Sequence, residues 1–425
     1  MKKRSLNYIF LTALTYLLQL QVYLQVHRVF NYFGFMFEPN FTSVSQSALF
    51  LLSSIPLVLF KNSNDLNSVF LKFWHLFVFV PITVLLFSGS ITVNLALIHI
   101  MFLTTIKTVF LVFKKLYFKA FFIKDFNPFK PQTSWVLIIV SLLLFIPFFQ
   151  VLPNFDFRSF VFTEIYSVRF EARSTENIFL SYLRAPLARV LLPMLIIIGL
   201  FTKKHLYTLT GAFLILIIYA STGALKSIIA IIPLILLFVK CKSYFNVTNK
   251  LNFLLISILM IAIIENYFLN TYFVTDIPNR RLLFVPGLLE NAYLIEFKNN
   301  MQFYRHSFLK FFNPESIEVT KLIGGKYFGR PEMNANVGIV MDGYLNLGIF
   351  GVLLHAIIIA FCILILNTLK IKPQLMGLVL AYFYYINTSF IGTLFLTHGF
   401  LFLLLFSRIF LNNYANKRIT HLSEL

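Results

Sequence analysis

Long runs of apolar residues alternate with short polar connections along most of this chain. A helix needs about 20 apolar residues to cross a bilayer. Neighbouring runs are joined by very short links, as at residues 88–90, and such links predict tight helical hairpins. The pattern therefore predicts an all-α fold with about twelve membrane-spanning helices. They cover residues 7–26, 43–60, 69–87, 91–113, 135–152, 187–202, 206–221, 224–240, 251–269, 345–367, 374–390 and 393–411.

Two long polar segments interrupt this alternation, at residues 154–186 and 270–344. Loops of this length in a compact protein are usually structured or functional. Within the second segment, residues 288–312 carry Leu, Tyr, Ile and Phe at helical spacing, which predicts short helices lying along the membrane surface. No internal repeat is visible, so residues 1–425 are predicted to form a single membrane domain.

Composition supports a membrane protein and narrows its partners. The chain is 59% hydrophobic and only 12% charged, with a mean hydropathy of +0.81, whereas soluble domains carry about 25% charged residues. Its net charge of +20 would suggest nucleic acid in a soluble protein. Here the basic residues mostly flank apolar runs, so membrane topology explains them and no nucleic-acid partner is predicted. Cys241 and Cys362 have no disulfide or metal-site spacing. No nucleotide motif is present, so neither a metal nor a cofactor is expected.

Lysines and arginines fall on opposite sides of the predicted membrane. Lysine-rich loops mark the cytosolic side, and they place both chain termini there. The two long segments are then external, and they are rich in arginine. The planar guanidinium of arginine forms bidentate hydrogen bonds with phosphate, which the ammonium group of lysine cannot form. Two arginine pairs, Arg169 with Arg173 and Arg280 with Arg281, lie on this one side and suit a diphosphate. The predicted diphosphate-binding residues are Arg169, Arg173, Lys226, Arg280, Arg281 and Arg305.

Lys226 has two possible roles. It lies where small residues open a span from the external side, and a helix start of this kind can bind an anion. Alternatively, its ammonium group reaches back to the membrane interface while its stem stays among apolar groups.

The start of the predicted span at 345–367 is unusually polar. Asn334, Asn336, Tyr344 and Asn346 offer the donors and acceptors that sugar hydroxyls need, and they are the predicted sugar-binding residues. Helix capping and close packing would explain the nearby glycines. They explain a buried Asp342 less well, because unpaired polar groups are costly in an apolar environment.

A base that accepts the proton of an attacking hydroxyl would complete the chemistry. The predicted candidates are Glu171, Glu290, His306 and Asp342. His306 stands out among the histidines because it follows Arg305 in an external segment. The sequence does not choose among the four.

Three stretches carry a family resemblance: residues 168–175 (VRFEARST), 221–227 (STGALKS) and 334–351 (NANVGIVMDGYLNLGIFG). With the layout of spans and external loops, they resemble the Wzy-type polymerases, which join oligosaccharide repeat units in bacterial O-antigen and capsule pathways. The resemblance implies a metal-independent membrane glycosyltransferase of the GT-C type. It would lie in the bacterial inner membrane with its active site facing the periplasm.

The same resemblance implies the substrates and partners. Donor and acceptor would both be oligosaccharide units on undecaprenyl diphosphate, embedded in membrane lipid, and a chain-length regulator protein is a further possible partner. Two alternatives stay open. An O-antigen ligase would pass the finished glycan to a lipid core, and a flippase or other transporter would move the lipid-linked oligosaccharide without forming a glycosidic bond.

Overall fold

The computed structural model describes residues 2–59, 65–113, 148–149, 152–161, 164–174, 184, 186–223, 226–307, 317–368 and 371–407. Over these ranges the chain is helical and contains no strand, as predicted. The α-helices are α1 (Lys2–Phe30), α2 (Phe41–Val58), α3 (Leu66–Phe87, with a π-helical turn at His75–Phe79), α4 (Val93–Phe113), α5 (Ile165–Ser174), α6 (Leu192–Thr202), α7 (His205–Ser221), α8 (Lys226–Ile229), α9 (Ile231–Phe238), α10 (Tyr244–Ile264), α11 (Val285–Glu296), α12 (Val319–Phe328), α13 (Ile339–Thr368), α14 (Met376–Thr388) and α15 (Phe400–Phe406). Further π-helical stretches are Leu187–Leu191, Glu265–Leu269, Thr275–Phe284 and Thr393–Thr397.

Six of the described helices are long and apolar enough to cross a membrane. They correspond to six of the predicted spans, and they are Leu6–Phe33, Phe41–Val58, Leu66–Phe87, Val93–Phe113, Tyr244–Leu269 and Ile339–Thr368. The predicted spans at 187–202 and 206–221 are shorter apolar helices, Leu187–Phe201 and His205–Ser221. Most of the predicted span at 135–152 lies outside the described residues. A total of about twelve spans and cytosolic termini stay predictions.

By the contacts between its residues, the chain divides into two compact units, and a single membrane domain stays a prediction. Unit 1 comprises Met1–Leu116, Tyr244–Leu364 and Phe383–Ile391. Unit 2 comprises Tyr117–Ser243, Ile365–Tyr382 and Gly392–Leu425.

Helix α3 is the centre of unit 1, because 89% of its most apolar stretch is buried. Aromatic side chains pack along it: the Trp74 and Phe102 rings are 4.9 Å apart, as are those of Phe70 and Phe383. The surrounding helices keep exposed apolar faces, with Leu49 on α2 and Phe253 on α10 as examples. Such faces suit contact with lipid, since a helix satisfies its own backbone hydrogen bonds.

Hydrogen bonds join several helix ends of unit 1 to neighbouring loops, one of which is the segment at residues 270–344, here called the large loop. The Tyr23 hydroxyl at the end of α1 donates to Met36 O at 2.6 Å, and Glu38 N donates to Ser88 O at 2.9 Å after α3. Thr92, just before α4, donates through its backbone N to Asn291 of α11 at 3.0 Å. The first two bonds join the connection after α1 to the ends of α1 and α3, and the third joins the start of α4 to α11 in the large loop.

Helix α11 differs from the predicted surface helix over 288–312. It ends at Glu296, and most of its side chains are buried. Gly287 lies so close to α3 that an added Cβ would be 2.7 Å from Leu85 Cδ1. A helix on the membrane surface keeps one polar face in water, whereas α11 buries even Glu290. Helix α11 is therefore packed inside unit 1 against α3 and α4, and its position at the membrane surface stays a prediction.

Candidate functional site

The polar start of α13 is packed closely and its polar groups are paired. A Cβ on Gly338 would clash with Asn387 O, so only glycine allows this approach to the last turn of α14. The approach lets Ile391 N donate to Asp342 Oδ2 at 2.7 Å. Asn346 Nδ2 donates to Asp342 Oδ1 at 2.9 Å. The carboxylate of Asp342 is thus buried with partners on both oxygens.

A kink in α13 explains how the large loop docks on this helix. Leu347 and Gly348 have non-helical backbone angles, and Gly348 has φ 62° and ψ −144°, a region that glycine adopts freely. The kink interrupts the helical hydrogen bonds, so nearby carbonyls need other donors. Gln302 N supplies one to Leu345 O at 2.9 Å. Phe303 N supplies another to Asn346 O at 3.3 Å.

The side chain of Asn346 also binds the loop turn at residues 302–304. Its Oδ1 accepts from Tyr304 N at 2.6 Å, and its Nδ2 also donates to Asp342 O at 2.7 Å. The side chain is fully buried. The fold therefore accounts for Asn346, and no exposed group is left for its predicted contact with a sugar.

The docked turn brings His306 to Asp342. His306 Nε2 is 3.8 Å from Asp342 Oδ1, and the two side chains are 3% and 1% exposed. The Phe390 ring covers the imidazole edge-on, at 5.3 Å between ring centres. Neither ring nitrogen has a hydrogen-bond partner among the described residues. Burial lowers the pKa of His306 to about 4, so the imidazole is neutral at pH 7.

The other two base candidates have different surroundings. Glu171 of α5 is exposed, and its carboxylate accepts from Arg158 Nη2 at 2.6 Å. Glu290 of α11 is buried against α4, with its Oε2 2.8 Å from His99 Nε2. Of the four candidates, only His306 and Asp342 lie next to each other in the described structure.

Glu171 is therefore expected to be dispensable for the predicted glycosyl transfer. Its carboxylate is hydrated and already paired with a guanidinium, and exposed ion pairs contribute little. Glu171→Gln should retain the rate and the thermal stability of the wild-type protein, as measured by glycan synthesis and by melting temperature. A loss of rate at unchanged melting temperature would restore Glu171 as a base candidate.

The paired arginines of the large loop have unequal environments. Arg280 is buried, its Nε donates to Asp276 Oδ1 at 2.7 Å, and its guanidinium lies 4.4 Å from the Phe30 ring centre. Arg281 is 43% exposed and reaches Asp276 Oδ2 at 3.5 Å. Arg305, next to the buried His306, is exposed. Arg281 and Arg305 are thus better placed than Arg280 to meet a ligand.

Alanine substitutions should separate these two arginines. Arg280→Ala removes a buried charged hydrogen bond and a cation–π contact, and it should lower the free energy of unfolding by about 2 kcal/mol. Arg281→Ala should leave the unfolding free energy unchanged and raise the KM for the predicted lipid-linked donor. Thermal unfolding in detergent and donor titrations measure the two effects. Equal melting temperatures for both variants would contradict the assignment of Arg280 to the fold.

Unit 2 brings two of the family-like stretches into contact. The hydroxyl of Tyr219 in α7 donates to Ser159 O at 3.1 Å, so the loop before α5 rests on the end of α7. Arg169 Nε of α5 donates to Gly223 O at 3.3 Å. Hydrogen bonds from Arg158 hold the pKa of Asp156 below its usual value. Arg169 therefore lies beside the segment that leads into α8.

The remaining predicted residues are distributed as follows. Arg173 lies in α5 and Lys226 begins α8, and their side chains lie outside the described part of the structure. Asn334 and Asn336 are exposed before α13, and Tyr344 is half-buried within it. The exposed asparagines are accessible to a ligand, so their sugar-binding role stays a prediction.

Comparisons with known proteins and the search for metal ligands gave no assignment. No family model, curated protein or solved structure matches this chain. Across the part of the chain that the structure describes, no three His, Cys, Asp or Glu side chains are grouped as a metal site. Any functional assignment therefore depends on the chemistry of the described residues.

Proposed function

We propose that this protein is a membrane glycosyltransferase that polymerises oligosaccharide units carried on a lipid diphosphate, with His306 as the general base. The observation that carries the proposal is the neutral, buried imidazole of His306 beside the carboxylate of Asp342. A base oriented by a carboxylate is a recurring arrangement for activating a hydroxyl. Exposed Arg305 next to it supplies positive charge for a phosphate leaving group.

The proposed reaction transfers a glycan between two lipid-linked units. An acceptor hydroxyl attacks the anomeric carbon of the donor sugar, and a new C–O bond forms as the bond to the diphosphate breaks. The hydroxyl proton passes to His306 Nδ1, while Nε2–H donates to Asp342 Oδ1. The 3.8 Å separation in the ligand-free protein must shorten in the complex, as catalytic hydrogen bonds often do. The lipid diphosphate leaves with the electron pair, stabilised by Arg281 and Arg305.

The membrane setting supports a lipid-borne donor. The described chain has six helices that are long and apolar enough to cross a bilayer, and the candidate base faces Asp342 at the start of one of them. On the proposed periplasmic face of the bacterial inner membrane, nucleotide sugars are absent, so undecaprenyl diphosphate would carry both units. Within unit 2, Arg169, Arg173 and Lys226 stay predicted diphosphate-binding residues. A chain-length regulator would act as a partner.

Reconstitution tests this function directly. The purified full-length protein in liposomes, supplied with repeat units on undecaprenyl diphosphate, should form a ladder of longer lipid-linked glycans without added metal or nucleotide. Transfer only to a lipid A core acceptor would identify a ligase instead. Movement of labelled lipid across the bilayer without any new glycosidic bond would identify a transporter. Either of these two results would overturn the proposal.

A further inference from the structure

The turn that carries His306 is strained. Phe303 and Tyr304 are consecutive non-glycine residues with positive φ, 46° and 61°. L-residues other than glycine rarely adopt this conformation, and it persists only where surrounding contacts determine it. Strained backbone of this kind concentrates at functional sites. The contacts that hold this turn therefore bear on the position of His306.

His306 does not hold itself in place. Its ring nitrogens make no hydrogen bond to any described residue, so its burial depends on its neighbours. Asp342 faces it from α13 and the uncharged Phe390 covers it from the chain after α14. On its own turn, the ionisable neighbours are Tyr304 and Arg305. A loosened turn would let the imidazole move towards water.

A second hydrogen bond clamps the turn to α13 through a side chain. His355 Nδ1 lies 2.8 Å from Ile339 O, an acceptor, so Nδ1 carries the proton. Nε2 of the neutral ring must then accept, and it lies 2.8 Å from the Tyr304 hydroxyl. Burial raises the pKa of Tyr304 to about 12, so this hydroxyl keeps the proton it donates. The bond joins the strained turn to α13 on the far side of the kink.

We propose that Tyr304 and His355 are positioning residues, whose hydrogen bond holds the strained turn closed and so keeps His306 buried against Asp342. Their importance for glycan transfer rests on the proposed function of His306. The closed turn has two consequences: His306 stays dehydrated, and the adjacent Arg305 stays exposed. A base and a cation are thereby presented side by side.

Chemical labelling of His306 tests the clamp without any assay of activity. Diethyl pyrocarbonate modifies accessible neutral imidazoles, and mass spectrometry of the detergent-solubilised full chain reports the rate at His306. Tyr304→Phe removes one hydroxyl and should speed labelling by about fivefold to tenfold, the change in open population expected from losing one hydrogen bond. Tyr293→Phe is the matched control, since Tyr293 donates to Ala335 O at 2.9 Å in the same loop. It should leave the labelling rate unchanged.

Two substitutions of His355 sharpen the test. An asparagine amide reaches the position of Nδ1, and a glutamine amide reaches the position of Nε2. His355→Asn should therefore lose the acceptor for Tyr304 and speed labelling as Tyr304→Phe does. His355→Gln should keep that acceptor and label His306 at close to the wild-type rate. The proposal is overturned if Tyr304→Phe and His355→Asn label as slowly as the wild-type protein.

The pH profile supplies a readout that general destabilisation would not move. In the wild-type protein a base with a pKa of about 4 stays neutral, and active, down to about pH 4. Hydration of the loosened turn should raise this pKa towards about 6.5. The rate of Tyr304→Phe should then fall between pH 6.5 and 4, where the wild-type rate persists. If the rate of Tyr304→Phe fell over the same acidic pH range as the wild-type rate, the positioning role would be contradicted. If His306→Ala were fully active, the proposed base would be wrong, while labelling would still decide whether the clamp exists.

Discussion

His306→Ala is expected to lower the rate of glycan transfer at pH 7 by at least about 100-fold, the lower end of what a general base contributes. The substitution removes the neutral imidazole that lies beside the buried carboxylate of Asp342. Asp342→Asn should also lower the rate, because an amide cannot stabilise the imidazolium that forms when His306 accepts a proton. Initial rates of polymer formation in liposomes measure both effects.

Two controls separate loss of the base from loss of the fold. His205→Ala makes the same substitution at an exposed histidine that begins α7, and it should keep the wild-type rate. The melting temperature of His306→Ala should stay near that of the wild-type protein, since its ring has no hydrogen-bond partner in the described structure. If His306→Ala kept both the wild-type rate and the wild-type pH dependence of that rate below pH 7, another group would have to accept the proton.

The sequence predicts the membrane helices well where the signal is local. Apolar length is a property of one stretch, and this is why six predicted spans reappear as long apolar helices. The burial of α11 is not local. Glu290 lies inside unit 1 only because His99 of α4 provides a polar partner there. A helical pattern that contains a carboxylate at Glu290 suits the membrane surface equally well when that partner is unknown.

The candidate site shows the same difference between local signals, which the sequence carries, and non-local contacts, which it does not. Asp342 stands out in the sequence because a carboxylate in an apolar helix needs an explanation. Its pairing with His306 depends on the kink at Gly348 and on the carbonyls that the kink leaves for the loop. The strained turn contains no glycine or asparagine at Phe303–Tyr304, so no sequence signal marks it. The clamp formed by Tyr304 and His355 was missed for this reason.

Arg280 and Arg281 show the same limit at adjacent positions. Both have the charge and the geometry to bind a phosphate, and nothing in the sequence distinguishes one from the other as a ligand-binding residue. Packing separates them, because the guanidinium of Arg280 lies over the Phe30 ring and pairs with Asp276. Which of two neighbouring arginines meets a ligand therefore depends on where the end of α1 lies.

Glu290→Ala is expected to be strongly destabilising, by about 3–5 kcal/mol of unfolding free energy. His99 and Glu290 are 0% and 1% exposed and joined at 2.8 Å, so truncation of the glutamate leaves a buried imidazole without its partner. Neither His99 Nδ1 nor Glu290 Oε1 has a hydrogen bond to another described residue. No second contact would therefore compensate. Denaturant titration of the purified protein in detergent measures the change.

Two further variants decide whether this pair serves stability or chemistry. Glu290→Gln keeps a hydrogen-bonding group opposite His99, so it should restore most of the stability and the full rate of glycan transfer. The double variant His99→Leu, Glu290→Met replaces the pair with apolar side chains of similar size, and such replacements are often neutral or stabilising. It should fold and remain active. A stable Glu290→Gln protein without activity would instead make Glu290 the base, and it would transfer the role proposed for His306 to α11.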